Sequence, residues 1–415
     1  MKRAIHWAWV ILGVCFLDLF VNYGIRLGFG VVLPEMITSL DMNRTQGGAI
    51  FNFYLGAYIC LTPLMGYLTD RWGARRVISL CCIALAGGTL LMGTADRFWM
   101  ACLFFGLVGV GSSGIWTPIM TVIQRWFAPE RRGMALGILS TGFGLGFATV
   151  GWLFPLLVAS YSWRACWYVL GVAALLMVVV NAVWLRSSPE NLRLAPWGGI
   201  EGSLGPIATR DEQGSEGRYK EVFMAPEFWA IGVSYFFIAC ALYIVTTFMV
   251  DYAAGELRFP FKDASLLATI HGLSQVVGVL TIPMLSDRIG RRKTLIGTNL
   301  LAVVSILGVL VSGKSIMGLY VSIAFLGVLY GPTWPLYGAC GGDYFRKEVM
   351  GTAIGAWTPF YGLGAISAHF IGGRIRDVTG SFECAFMLGI IFALVAAFLL
   401  LKGVRSQHST SLGSC

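Results

Sequence analysis

Three polar residues share one face of the first long apolar segment of this sequence. Asp18, Asn22 and Arg26 follow one another at intervals of four residues, so a helix places them on a single face. Ionisable groups inside such segments are costly and mark sites of ion or substrate binding. We predict that this face lines a central cavity, that Arg26 with Asn22 attracts an anion, and that Asp18 binds and releases a proton. The alternative is that Asp18 and Arg26 only neutralise charges and stabilise packing.

A later apolar segment carries a second polar face, with His271, Gln275 and Val279 at the same spacing. Histidine changes its charge near neutral pH, so we predict that His271 binds an anion or relays the proton, with Gln275 as a ligand contact. His369 shares a face with Tyr361 in another segment and is a weaker candidate. Mid-segment aromatic residues are predicted to shape the same cavity, although such residues commonly serve packing instead: Trp116, Tyr330, Trp357 and Tyr361.

The composition requires these side chains to be positioned by membrane helices. Of the 415 residues, 57% are hydrophobic and only 12% are charged, whereas soluble proteins carry about 25% charged residues. This excludes a disordered chain, a nucleic-acid binder with a charged surface and almost any soluble enzyme of this length. Twelve apolar runs have roughly the length of a membrane span: 7–33, 47–69, 77–95, 98–124, 133–157, 165–185, 227–250, 263–285, 294–312, 316–338, 349–373 and 382–402.

The twelve runs fall into two sets of six. We predict an all-α membrane protein with two six-helix bundles, over residues 1–185 and 227–402. The polar stretch 186–226 is rich in Gly, Ser, Pro and charge, which predicts a mobile linker, and 403–415 is predicted to be a tail. With the N-terminus inside, 21 of the 30 basic residues fall in inner segments and 8 in outer loops. The positive-inside rule therefore predicts that both termini and the linker are cytoplasmic.

The two halves repeat one loop. Residues 66–76 read GYLTDRWGARR after the second run, and residues 285–293 read LSDRIGRRK after the eighth. Paired halves of this kind are typical of transporters whose bundles rock about a midplane site. We predict that charge pairs in these loops control the conformational change, through Asp70, Arg71, Arg75, Asp287, Arg288 and Arg291. The alternative is that the loop is merely basic, but two copies of it at equivalent positions in the two halves argue against that interpretation.

Cofactor and enzyme chemistry find no support in the sequence. The ten cysteines form no Cys-x-x-Cys pair and lie mostly in apolar runs, so we expect buried thiols rather than disulfides or a metal site. The glycine-rich segments follow no strand, which argues against a phosphate-binding loop. No nucleophile triad or catalytic carboxylate pair is evident. We therefore predict no cofactor, no metal and no enzymatic activity.

The motifs resemble the major facilitator superfamily, and within it the monocarboxylate-porter branch and its oxalate–formate antiporter-like relatives. The Gly-x-x-x-Asp-Arg-x-Gly-x-Arg-Arg loop at residues 66–76 is the superfamily's most familiar motif. Three stretches are similar to the branch: IHWAWV at 5–10, PIMTVIQRWFAPERRGMALG at 118–137 and GGRIRDVTGSF at 372–382. The resemblance covers essentially the whole chain. It implies proton-coupled or exchange transport of small organic anions by alternating access.

The chain departs from these relatives at two carboxylate-binding positions. They commonly carry an arginine on the eighth helix, eight residues before the loop aspartate, and this position is Val279. The antiporter relatives also use a lysine on the eleventh helix, near Phe360 here. The departure argues against a simple lactate-like or oxalate-like substrate.

We therefore expect a secondary transporter of small, monocarboxylate-like organic anions that uses proton symport in the cell inner (plasma) membrane. Transport of amino acids or larger aromatic acids, or anion exchange, is the alternative. The expected partners are the anion, a proton and the lipid bilayer, with no nucleic acid and with a monomeric state.

Overall fold

Nearly all regular structure in the described part of the chain is helical. The computed structural model describes residues 6–198, 222–313, 315–345 and 347–404. We number the α-helices in chain order: α1 Trp7–Ser39, α2 Arg44–Trp72, α3 Ala74–Met92, α4 Phe98–Ser113, α5 Trp116–Trp126, α6 Pro129–Ser160, α7 Trp163–Trp184, α8 Pro226–Asp251, α9 Phe261–Ile289, α10 Arg291–Ser312, α11 Ile316–Tyr330, α12 Thr333–Tyr344, α13 Lys347–Thr379 and α14 Glu383–Gly403. A 3-10 helix (Pro189–Leu192), a π-helix (Tyr252–Glu256) and a short helical turn at 222–224 are further helical elements of these ranges.

The helices account for the predicted membrane spans. Among the described residues, 11 helical stretches are long and apolar enough to cross a membrane. The remaining predicted run, 349–373, lies within α13, whose 33 residues exceed the roughly 20 that a span requires. The prediction of an all-α membrane protein with twelve spans is confirmed.

Two spans are each built from two helices. In the fourth span α4 ends at Ser113 and α5 begins at Trp116, and in the tenth span α11 ends at Tyr330 and α12 begins at Thr333. The tenth span breaks at Gly331 and Pro332, and proline interrupts a helix because it has no N–H to donate. At the break in the fourth span Ile115 N–H donates to the Ser112 carbonyl, three residues back, at 3.2 Å. The two breaks occupy equivalent places in the two halves of the sequence.

The chain groups into two compact units. Unit 1 is Met1–Gly205 with Thr247–Val276, and unit 2 is Pro206–Thr246 with Val277–Cys415. In unit 1 the third span, α3, packs against α4 and α7. In unit 2 the ninth span, α10, packs in the same way against α11 and α14. The repeat seen in the loops therefore extends to helix packing inside each unit. The domain boundaries drawn from the sequence stay a prediction.

The first part of the predicted linker is attached to unit 1. Trp197 N–H donates to the Trp126 carbonyl at 2.9 Å, and Ala128 N–H donates to the Trp197 carbonyl at 3.1 Å. The Trp197 ring also lies 5.1 Å from the ring of Trp9 at the start of α1. The prediction of a mobile linker is therefore wrong for residues up to 198, because Trp197 buries aromatic surface that a solvated linker would leave exposed. Residues 199–221 and the tail from 405 lie outside the described residues.

A partly buried ion pair joins two helix ends in unit 1. Arg44, the first residue of α2, places Nε 3.1 Å from Oδ2 and Nη2 3.3 Å from Oδ1 of Asp251, the last residue of α8. The Asp251 side chain is only 1% exposed. Such paired geometry is what arginine and a carboxylate form best, and sequence counting had assigned Arg44 only to a loop.

We expect Arg44→Ala to destabilise the protein by about 3 kcal/mol, because it leaves a buried carboxylate without its counter-charge. Thermal unfolding in detergent measures the loss. Asp96→Ala is the control, since Asp96 pairs with Arg164 while 75% exposed and should cost no more than about 1 kcal/mol. The double variant Arg44→Ala/Asp251→Asn should recover part of the loss. Equal losses for Arg44→Ala and Asp96→Ala would contradict the assignment.

Candidate functional site

Helix α1 supplies the predicted polar face, but each of its three residues meets a different neighbour. Asp18, Asn22 and Arg26 are 2%, 4% and 7% exposed. Ser112 on α4 donates its hydroxyl to Oδ1 of Asn22 at 2.7 Å. The three side chains are therefore buried in this structure, and the lining of a central cavity by this face stays a prediction. The four-residue spacing identifies a face correctly, but it does not identify what covers that face.

Arg26 lies among three tyrosine rings. Its Cζ is 5.5 Å from the ring centroid of Tyr23, 5.7 Å from that of Tyr54 and 5.4 Å from that of Tyr58. Cation–π contacts of this length stabilise a guanidinium that has lost its hydration. Arginine can at the same time bind a carboxylate through its planar N–H groups. The arrangement combines a retained positive charge with rings that favour an organic ligand.

Aromatic side chains extend this tyrosine cluster along α6. The Tyr23 ring stacks on Phe143 at 4.1 Å, and the Trp116 ring lies 5.1 Å from the same Phe143. Trp116 opens α5 just after the break in the fourth span. Phe143 therefore connects Trp116, a predicted site residue, to the group that contains Arg26. The sequence analysis did not select Phe143.

Asp18 is held by two side chains from other helices. Asn181 on α7 donates its amide N–H to Oδ1 of Asp18 at 2.8 Å, and the Cys82 thiol on α3 lies 3.6 Å from the same oxygen. Among the described residues, Asp18 and Arg26 form no ion pair with each other. Mutual neutralisation, the alternative weighed for these two charges, therefore finds no support.

His271 and Gln275 come together as predicted. Nε2 of Gln275 lies 2.8 Å from Nδ1 of His271, and the imidazole lies edge-on to Phe147 of α6 at 5.6 Å. Both residues belong to unit 1, and His271 is fully buried. Phe147 and Phe143 are four residues apart on α6, so one helix face contacts both His271 and the group around Arg26.

Unit 2 contains a cluster of aromatic side chains around Tyr243. Its ring lies 6.1 Å from Tyr330, 5.7 Å from Tyr361 and 5.6 Å from His369. Tyr235 extends the cluster, 4.6 Å from Tyr361. Predicted residues Tyr330 and Tyr361 are thus brought together, and His369 joins them.

Trp357 serves packing in unit 2. Its indole N–H donates to the Phe228 carbonyl at 2.9 Å, and its ring stacks on Phe228 at 5.9 Å. The side chain is 1% exposed. The polar group and the ring of Trp357 are therefore both engaged within unit 2, and its predicted contact with substrate stays a prediction.

The arginines of the repeated loops bind helix ends within their own units. Arg75 donates to the Ala182 carbonyl near the end of α7. Arg292 donates to the Leu400 and Leu401 carbonyls near the end of α14, at 3.0 and 2.6 Å. Each arginine follows by two residues a glycine with positive φ, Gly73 at 84° and Gly290 at 94°. Arginine near a helix C-terminus satisfies carbonyls that have no partner inside the helix.

The other loop residues differ in how firmly they are bound. Arg291 pairs with Asp287 at 2.5 Å and approaches Asp343 of α12 at 3.7 Å. Arg71 lies 3.3 Å from the Tyr67 hydroxyl and is exposed, and Arg288 is exposed. The side chain of Asp70 lies outside the described residues. The equivalence of Arg75 with Arg292 was missed because the sequence motif places two arginines side by side in each loop.

Asn181, Cys82, Tyr23 and Tyr54 are site residues that the sequence analysis missed. Asn181 had a detectable signal, because it is the one amide in the otherwise apolar run 165–185. The tyrosines had no such signal, since aromatic residues are frequent in most spans. A cleft of about 600 Å³ between α2 and α4 contains none of these residues and is lined by exposed Phe53 and Leu103, so we do not assign it to the site.

The comparison with protein families agrees with this architecture. The model of the Major Facilitator Superfamily matches residues 15–263 and 231–414. This chain belongs to the major facilitator superfamily. It is a multi-pass membrane protein of a family of transporters, and not an enzyme.

Two curated relatives and one solved structure illustrate the similarity. The probable sulfoacetate transporter SauU of Cupriavidus necator is 24% identical over 403 residues, covering 94% of this chain and 92% of that protein. Monocarboxylate transporter 9 of Mus musculus is 28% identical over 170 residues, 41% of this chain and 33% of that protein. A bacterial homologue of the human lysosomal transporter Spinster, in its inward-facing and unoccupied conformation, has a TM-score of 0.76 at 16% identity, over 97% of this chain and 100% of that chain.

The loop contacts predict which arginines stabilise the fold. We expect Arg292→Ala to cost about 2 kcal/mol of stability, because it removes hydrogen bonds from a charged donor to two carbonyls. Arg288→Ala, four residues away and exposed, should cost less than about 0.5 kcal/mol. Thermal unfolding in detergent compares the two variants. Equal stability of the two would show that Arg292 does not cap α14.

Proposed function

We propose that this member of the superfamily is a secondary active transporter that moves small organic anions together with protons. The observation that carries the proposal is Arg26, a permanent positive charge inside a membrane span, surrounded by three tyrosine rings. Charges at this depth are rare and lie almost always in substrate or ion pathways. Two relatives are named as transporters of sulfoacetate and of monocarboxylates, which supports an anion as substrate.

The substrate's carboxylate binds the guanidinium of Arg26 in this proposal. Each tyrosine ring contacts the guanidinium through its π face, while the N–H groups point in the guanidinium plane, where a carboxylate is bound in a bidentate manner. Asn22 lies on the same face of α1, and Trp116 flanks the cluster through Phe143. Arg26 thereby replaces the eighth-helix arginine that relatives carry, whose position here is Val279.

Additional polar contacts come from His271 and Gln275. They are 2.8 Å apart and lie beside Phe147, on the same helix as Phe143. Imidazole and amide groups can hydrogen-bond a carboxylate, a sulfonate or a hydroxyl group. We assign them to the orientation of the substrate. Tyr330 and Tyr361 remain proposed substrate contacts within unit 2.

Proton coupling is assigned to Asp18. An ionised carboxylate at 2% exposure is costly unless it is paired, and in the described residues it has no basic partner. Protonation removes the charge, so loading of Asp18 changes the free energy of burying this part of α1. Proton uptake thereby favours one state of the carrier, which is the requirement for symport rather than exchange.

We further propose that the protein resides as a monomer in the cell inner membrane with both termini cytoplasmic, from the distribution of basic residues. The proposed participants in the conformational change remain the Asp287–Arg291 pair and the two exposed loop arginines, Arg71 and Arg288. Arg75 is assigned instead to the stability of unit 1.

The aromatic cluster of unit 2 favours a second candidate, a transporter of larger aromatic or zwitterionic acids. Tyr235, Tyr243, Tyr330 and Tyr361 offer rings on which an aromatic substrate could stack. A ligand screen separates the two proposals: stabilisation by monocarboxylates and sulfonates supports the first, and stabilisation by aromatic acids or amino acids alone supports the second.

Arg26→Ala should abolish the thermal stabilisation by every anionic ligand that stabilises the unaltered protein, because the carboxylate loses its positive partner. The melting temperature without ligand should fall only modestly, since the tyrosine rings still pack together. Arg26→Lys keeps the charge without the planar geometry and should retain weak binding. Undiminished ligand stabilisation of Arg26→Ala would overturn the proposed anion site.

Asp18→Asn should retain exchange of substrate across proteoliposomes and lose accumulation driven by a pH gradient, because the amide cannot carry the proton. The uptake of labelled substrate with and without an imposed gradient measures both properties in one preparation. Normal accumulation by Asp18→Asn would rule out Asp18 as the proton carrier.

A further inference from the structure

Two buried side chains from other helices, Asn181 and Cys82, contact the buried carboxyl group of Asp18. Asn181 Nδ2 lies 2.8 Å from Oδ1 of Asp18 and 3.4 Å from Sγ of Cys82. Cys82 Sγ lies 3.6 Å from the same Asp18 oxygen. The exposed fractions are 2% for Asp18, 0% for Asn181 and 1% for Cys82. We call these three residues the α1–α3–α7 cluster.

Two oxygens of this cluster have no hydrogen-bond partner among the described residues: Oδ2 of Asp18 and Oδ1 of Asn181. Buried polar atoms in proteins are nearly always paired, and an exception requires an explanation. Both atoms are acceptors. These two oxygens can therefore accept a hydrogen bond from a donor or bind a cation, but they cannot pair with a further acceptor.

The groups that face Asp18 supply no positive charge. On α1 the nearby titratable group is the thiol of Cys15, and on α3 it is the thiol of Cys82, with Cys81 beside it. Helix α7 contributes the neutral amide of Asn181. Within the described ranges no arginine, lysine or histidine forms an ion pair with Asp18. A cation or a proton bound at Asp18 would supply the positive charge that these neighbours lack.

The ligand set favours a proton over a metal cation. Hard cations such as Ca²⁺ and Mg²⁺ require about six oxygen ligands, and the cluster offers two free oxygens and a soft sulfur atom. A proton needs one acceptor. It can come from water, form an O–H bond at Oδ2 of Asp18, and return to water when that bond breaks.

We propose that the α1–α3–α7 cluster is a proton-binding site separate from the Arg26 anion site, and that Asn181 is its positioning residue. The inference rests on the proposed function, because it assigns the coupling ion of the same transporter. Asn181 holds Oδ1 of Asp18 and so leaves Oδ2 to receive the proton. A hydrogen bond from an amide to a carboxylate also favours the charged form, so Asn181 sets the pH at which the site loads.

The two sites lie on one helix, about 12 Å apart along its axis, as eight residues at 1.5 Å each require. Asn22 lies between them and is fixed by Ser112 of α4. Proton and anion thus act on the same rigid element without touching each other, as coupling between separate sites requires.

The test compares Asn181→Ala with Asn299→Ala in proteoliposomes. Asn299 is a matched control, a buried asparagine on α10 whose amide donates to the Tyr337 hydroxyl at 3.2 Å. We measure substrate exchange without a gradient, and gradient-driven uptake as a function of pH. Asn181→Ala should displace the pH profile of uptake by on the order of one pH unit, as loss of one charge-assisted hydrogen bond predicts. Asn299→Ala should leave the profile unchanged.

The other outcomes decide against the proposal in distinguishable ways. An unchanged pH profile of Asn181→Ala, at normal or reduced uptake, would show that Asn181 is only structural. A sodium gradient at constant pH that drives uptake in the unaltered protein would replace the proton by a metal cation. Absence of exchange by the unaltered protein for every tested anion would sink the proposed function itself. Should Asn181→Ala fail to fold, Cys82→Ser replaces it, and an unshifted profile in that variant overturns the proposed site.

Discussion

The cost of keeping ionised groups away from water constrains everything else in this structure. Arg26 and Asp18 lie on one helix inside a membrane span, and neither is balanced by a direct ion pair with the other. The tyrosine rings around Arg26 compensate the lost hydration of a cation that cannot lose its charge. Asp18 has the other option, because a carboxyl group can become neutral by binding a proton. The two residues therefore meet the same energetic cost in different ways, and this difference underlies the proposal of an anion site at Arg26 and a proton site at Asp18.

The repeated loops show how the same sequence motif stabilises each unit. Arg75 and Arg292 occupy one position of the motif and bind carbonyls at the end of the sixth span of their half, on α7 and α14. Glycines with positive φ form the turns that direct them there, and a residue with a Cβ would be strained at these positions. Because both arginines are engaged inside their units, any role of the loops in conformational change falls to their neighbours. The breaks in the fourth and tenth spans extend the repeat to the interior.

Much of the fold could be predicted from the sequence, because span length, loop charge and internal repetition are patterns along the chain that need no knowledge of tertiary contacts. The site was predictable only in part. Helical spacing identified the Asp18–Arg26 face and the pairing of His271 with Gln275, since these are properties of one helix. It could not identify Asn181, Cys82 or the tyrosines, which reach the face from other helices. The packing role of Trp357 was not visible for the same reason, because the carbonyl that accepts its N–H belongs to Phe228, more than a hundred residues earlier in the sequence.

Placing both sites on α1 has a consequence for coupling. An anion that binds Arg26 adds one negative charge to this helix, and a proton that binds Asp18 adds one positive charge. When both are bound, the net charge of the helix face equals its value when both are absent. Moving either one alone changes the charge buried in the span, and the cost of burying charge in a medium of low dielectric constant is large. A carrier that reorients readily only with both ligands or with neither is a symporter. In the proposed mechanism, symport follows from the electrostatics of a single helix, and direct contact between the proton and the substrate is not needed.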